Sequence, residues 1–153
     1  MVATDSSSPF TESPFGPPLI GALLRMPLQV VQGRMLDRLH EHGFTDLEAA
    51  HLIVLQYPGP QGTKPSELAS RLRISKQALN YQLGQLERLG YLERRPDSDD
   101  LRSKRIVLTR RAESAVPVLR DAVAEIENDW ARQLGPERFA QLRDVLIELN
   151  RLL

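Results

Sequence analysis

The chain has 153 residues and not one cysteine. Disulfides, thiolate nucleophiles, zinc–thiolate sites and cysteine-based redox sensing are excluded. No apolar run reaches the ~20 residues needed to cross a bilayer. The first residues lack the basic and apolar regions of a signal peptide, so a cytoplasmic protein without a membrane partner is expected. Histidine is scarce, with only His40, His42 and His51. His40 and His42 point to different sides of a helix end, and His51 lies within an apolar helix. No carboxylate cluster at ligand spacing joins them, so no metal site is expected. A phosphate-cradling glycine loop and a nucleophile elbow are also missing. No catalytic constellation emerges, which sets the enzyme reading aside, and no cofactor is expected.

An excess of one charge is missing as well, since 20 basic residues balance 20 acidic ones. The balance hides an uneven distribution. Between Thr63 and Ala112 twelve Lys and Arg residues stand against six Asp and Glu, so the remaining chain carries an equal acidic surplus. A basic middle between acidic ends is what phosphate neutralisation needs, because only the local excess matters.

What is present is mostly helical pattern. Residues 1 to 17 are rich in Ser, Pro and Thr and are read as a disordered tail. From about Leu19 to His40, Leu19, Leu23, Met26, Val30 or Val31, Met35 and Leu39 fall at helical spacing. Pro27 predicts a kink or break inside that helix, and Gly43 stops it. A second, buried helix is expected to open at Thr45, with Thr45 and Glu48 as a capping box and Asp46 favoured by the helix dipole. Leu47, Ala50, Leu52, Val54 and Leu55 give it a wide apolar face. Pro65 begins a third helix with Leu68, Ala69 and Leu72 inward. Ser75 caps a fourth, and Ile74 with Leu79 forms a hydrophobic staple. Leu79, Leu83 and Leu86 form its inner stripe, and Gly90 ends it. Two strands follow, YLERR and SKRIVLT, around a loop PDSDDLR. A long helix to about Leu134, kinked at Pro117, and a last amphipathic helix from Glu137 to Leu153 complete the chain. Trp130 lies on the apolar edge of that long helix.

A helix, a tight turn, a second helix and a basic hairpin form a shape for reading duplex DNA. On the fourth helix, Gln77, Asn80, Tyr81 and Gly84 lie opposite the leucine stripe, with Lys76 at the margin. Gln77 and Asn80 are the expected base contacts, since carboxamides pair bidentately with adenine. Ser75 caps the helix and faces phosphate at its positive end, and Lys76 is expected on phosphate. Gly84 either permits close backbone approach or is indifferent. Arg102 in the hairpin is expected to reach the minor groove or its phosphate edge. Asp100 either orients Arg102 through a charge-assisted bond or is a turn residue. Arg94, Arg95, Lys104 and Arg105 are expected on phosphates, though strand alternation must turn some away.

These residues resemble a known family. SELASRLRISKQALNYQLGQLERLGYLERR, followed by DLRSKRIVLT from Asp100 to Thr109, is similar to the MarR family of winged helix-turn-helix regulators. The spacing of Asp100, Arg102 and Leu108-Thr109 matches that family's wing signature, and the element order matches over about residues 18–153. The resemblance implies a mainly α fold of about six helices with a small β-hairpin wing. It implies one domain over 18–153, in which 18–43 and 112–153 form dimerisation helices and 44–111 the DNA-binding region. It further implies a homodimer on a pseudopalindromic operator in double-stranded DNA, usually repressing, and often released by a small-molecule effector. The family's recognition positions fall on Ser75, Lys76, Gln77, Asn80 and Tyr81, and its wing positions on Asp100 and Arg102. The family often has arginine where Tyr81 stands, and usually glycine where Ala112 stands. The competing reading is a winged-helix protein-interaction module without DNA binding.

Overall fold

The structure is a computed structural model that describes residues 16–55, 59, 61–98, 100 and 102–153. The expected tail of residues 1 to 17 lies outside these, save for its last two positions. The described residues form α1 (Ile20–Glu41), α2 (Ala49–Leu55), α3 (Pro65–Leu72), α4 (Lys76–Arg88), β1 (Leu92–Pro96), β2 (Lys104–Leu108), α5 (Arg110–Leu134) and α6 (Pro136–Leu152). The fold is mainly helical with one antiparallel hairpin, as expected. Among the described residues no helix is long and apolar enough to cross a membrane.

Local chemistry sets the boundaries. Ser75 Oγ accepts the Ala78 N–H at 3.1 Å and starts α4, with Leu79 buried and Ile74 packed against the core, as a staple requires. At the other end Gly90, at φ +78°, donates to the Glu87 carbonyl and Tyr91 donates to the Leu86 carbonyl. This paired closure satisfies two orphan carbonyls and turns the chain into β1. Between α3 and α4, Arg73 adopts the left-handed conformation (φ 52°, ψ 38°), which makes the turn tight enough for the two helices to pack. Thr109 caps α5 by accepting the Ala112 N–H.

α1 runs on through Pro27, so the break expected there as the alternative to a kink does not occur, and α5 runs on through Pro117. Both prolines are exposed, so water can take the backbone bonds they forfeit. The capping box at Thr45 and Glu48 does not form, because α2 starts only at Ala49. Thr45 and Asp46 lie in a turn, and the Glu48 N–H donates to His51 Nδ1 at 3.1 Å. Asp46 is instead held by Tyr91 and Arg111, which keeps this segment out of the helix. Ala50, expected inward, is exposed.

The core sits where α1's second half, α2, α3, α4 and the hairpin meet α5. Leu39, Leu52, Leu68, Leu83, Leu86 and Ile106 are fully buried there, with Ala112, Ala115, Leu119 and Ala122 giving α5 a flat face. Each large side chain contributes about 1.5–3 kcal/mol relative to exposure. α5 packs along α1, and the pair is joined at its rim by Arg38 to Glu125 (2.6 Å) and Arg34 to Asp129 (3.3 Å). In the hairpin, Leu92 faces Leu108, Arg94 faces Ile106 and Pro96 faces Lys104. Thr63 adds a bridge to Ile106 and ties the wing to the chain entering α3.

Candidate nucleic-acid interface

α4 presents the expected outer face. Ser75, Lys76, Gln77, Asn80 and Tyr81 are all exposed, and Gly84 is half-buried beside them. The buried stripe Leu79, Leu83 and Leu86 fixes this orientation, since residues spaced three and four apart share a face. A Cβ added at Gly84 would meet only Arg88 Nη1, at 3.9 Å. Internal packing therefore does not require glycine at this position.

A groove of about 420 Å³ runs between α3's start, α4 and the wing. Lys64, Lys76, Arg94, Arg102 and Lys104 line it with Ser66, Asn80 and Ser103, and among the described residues no acidic one lines it. The structure thus brings Lys76, Asn80, Arg102 and Lys104 to one site, while Gln77 and Tyr81 extend the same helix face. Lys64 had no signal in the sequence beyond its charge. It reaches the groove because Pro65 starts α3 immediately after it.

The wing's base is an ion cluster. Asp97 is fully buried, and its Oδ2 meets Lys64 Nζ at 3.1 Å, Arg105 Nε at 3.3 Å and Ser103 Oγ at 3.3 Å. Arg105 also donates to the Gly62 carbonyl at 3.0 Å. A buried carboxylate needs such partners, and here they come from the β2 side of the hairpin and from the α3 leader. Arg105 is therefore turned inward, away from the expected phosphate role. Arg94 donates to both Glu87 carboxylate oxygens at 3.1 Å, and Arg95 pairs with Glu93. Among the described residues Lys76, Arg102 and Lys104 form no ion pair and remain open to an anion. Asp100 accepts the backbone N–H of Arg102 at 3.0 Å, and its own carbonyl accepts from Ser103. Of its two readings, this geometry is the turn residue's.

A second cluster seats the reading unit on α5. Tyr91 is fully buried and donates to Asp46 Oδ1 at 2.6 Å. Arg111 reaches Asp46 Oδ2 at 2.9 Å and lies over the Tyr91 ring, 4.4 Å from its centroid. Burial pushes the Asp46 carboxyl upward, but the Tyr91 hydrogen bond and the Arg111 charge outweigh it and hold the group below the ordinary value of 3.8. The Tyr91 hydroxyl is pushed up, by burial first and then by its bond to Asp46.

The remaining candidates are placed elsewhere. His40 Nε2 lies 2.9 Å from the Leu47 carbonyl, and His42 Nδ1 lies 2.8 Å from the Arg38 carbonyl. Trp130 packs edge-on to Phe139, 6.5 Å between centroids, across the α5–α6 junction.

Comparison with known proteins bears on this geometry. A model of the MarR family matches residues 42–103. The chain is 29% identical over 130 residues to the HTH-type transcriptional regulator PecS of Dickeya dadantii (strain 3937), covering 84% of this chain and 77% of that one. A MarR transcriptional regulator from Methanosarcina mazei Go1 superposes with a TM-score of 0.72 at 19% identity, over 86% of this chain and 94% of that one. MepR of S. aureus, solved as a complex with DNA, superposes with a TM-score of 0.70 at 22% identity, over 89% and 99%. At these identities the two structural matches are likenesses of fold.

Proposed function

We propose that the chain is a homodimeric, sequence-specific DNA-binding regulator of the MarR family, a reading supported by the match of that family's model to residues 42–103 and by the likeness to PecS. The observation that carries this reading is the joining of a polar helix face to an adjacent groove that, among the described residues, is lined by five cations and no acid. A duplex offers the matching pair: base edges in the major groove and phosphates along its rim. Gln77 and Asn80 read bases, Ser75, Lys76 and Lys104 hold phosphates, and Arg102 enters or edges the minor groove.

The dimer rests on apolar surface left uncovered. α6 has no buried residue, and Leu142, Val145, Leu149 and Leu152 are exposed along it at helical spacing. Leu19 and Ile20 at the start of α1 are 81% and 69% exposed. At ~25 cal/mol per Å² of apolar area such faces favour burial, and a second copy offers identical faces by two-fold symmetry. Two reading heads would then meet half-sites one helical turn apart, about 34–36 Å. Occupying a pseudopalindromic operator in this way would repress. Release by a small molecule is supported by the family resemblance and by a cavity of about 240 Å³ between α1 and α5, lined by Met35, Leu119, Val123 and Ala124 with Arg120 and Glu127.

Duplex binding by the purified protein, followed by fluorescence anisotropy over a salt series, tests the reading. Binding at low ionic strength is expected, with log affinity falling linearly against log salt by ~0.9 per phosphate neutralised. No binding to any duplex at low ionic strength would overturn it.

A further inference from the structure

His51 is buried in α2 and touches neither the groove nor the outer face of α4, yet a line of hydrogen bonds leads from it to that face. The line starts at a group with fixed polarity. The Glu48 backbone N–H donates to His51 Nδ1 at 3.1 Å, so that nitrogen carries no proton. The ring proton of the neutral imidazole is then on Nε2, which donates to Gln85 Oε1 at 3.1 Å. That bond orients the Gln85 carboxamide with its nitrogen outward, and Nε2–H donates to Tyr81 Oη at 3.0 Å. A phenolic hydroxyl keeps its proton in the ring plane, on the side away from the bond it accepts. Tyr81 is 63% exposed, and among the described residues nothing accepts from its hydroxyl.

We propose that His51 and Gln85 are positioning residues that set the Tyr81 hydroxyl as a hydrogen-bond donor to an acceptor on DNA, either a phosphate oxygen or a base-edge acceptor. This rests on the DNA-binding reading above. The polarity cannot invert, because inversion would set two donors against each other at Glu48 and His51 Nδ1. At a position where the family often has a cation, a neutral side chain thereby offers acceptors a donor already oriented, without the freedom of an unrestrained hydroxyl.

The test is a double-mutant cycle on duplex affinity. Glutamine at position 51 keeps an N–H where Nε2 stands. Asparagine keeps an acceptor near Nδ1 but offers Gln85 no donor. Tyr81→Phe and His51→Asn are each expected to weaken binding about three- to tenfold, the range of one net hydrogen bond. The double variant is expected to bind no more weakly than Tyr81→Phe alone, and His51→Gln to stay within about twofold of the unsubstituted protein. Independent, multiplying losses would overturn the proposal, as would unaltered binding by His51→Asn. A loss spread evenly over sequences identifies the acceptor as phosphate, and a loss confined to one base pair identifies a base edge. Nitrogen-15 spectra of the DNA-free protein read the relay directly. The Nε2-protonated ring is expected, and an Nδ1-protonated ring would contradict the relay. Failure of the unsubstituted protein to bind any duplex would overturn the proposed function and the outward bond together, with the tautomer still deciding whether the relay exists.

Discussion

At Gly62 the backbone takes φ +74°, and a Cβ built there meets the Ile106 carbonyl oxygen at 2.7 Å and Val107 Cγ2 at 2.9 Å. The first clash is with backbone in a hairpin held on both sides, so it cannot be relieved by a rotamer change. Gly62→Ala is expected to cost about 1–3 kcal/mol, read as a lowered Tm, while an unchanged Tm would mean that the Thr63–Ile106 bridge yields easily. Asp46 sets a pH dependence. Its folded carboxyl is held below 3.8, so its stabilising contribution is complete above that value and is lost as pH falls through the lower folded-state value. Asp46→Asn should therefore melt below the unsubstituted protein at neutral pH, with the gap closing as pH drops under 3.8. Thermal melts across pH check this, and a constant gap would contradict it. In the sequence Asp46 stands within a local capping pattern, Thr45 and Glu48, that marks it as a helix-dipole residue. Its partners, Tyr91 and Arg111, lie far along the chain, where no short-range pattern reaches.

Among elements, α4 and the wing should fail differently. Arg102 sits at an exposed wing turn and forms no ion pair among the described residues. Arg102→Ala should weaken binding to all duplexes alike and reduce the salt slope by about one. Asn80 is exposed on α4, opposite the leucine stripe. Asn80→Ala should instead lower the ratio of operator to scrambled-DNA affinity by about 1–3 kcal/mol. Equal effects of the two substitutions on that ratio would contradict the division of labour. α4 was legible in full, since Ser75, the leucine period and Gly90 are all local signals. The wing was legible as a hairpin but not in its charge traffic. Strand alternation shows that some of Arg94, Arg95, Lys104 and Arg105 must turn away. Only the fold shows that Arg105 is one of them, because its partner Asp97, just after β1, is buried. Lys64 carries no local signal either, since its partner Asp97 lies far along the chain.

For the whole molecule, the polar reading surface and the uncovered apolar surface lie on different elements, as a two-headed reader requires. Val145 is 60% exposed and Leu149 is 38% exposed on α6. Replacing both with Glu should leave the winged core folded, yield monomers by sedimentation, and remove most operator affinity. A dimer that persists would place the interface elsewhere. Two identical heads at fixed separation should read one duplex, and selection of bound sequences from a random duplex pool checks this. An inverted repeat is expected, with half-site centres about one helical turn apart. Recovery of unrelated sequences, or of a single unpaired half-site, would contradict it.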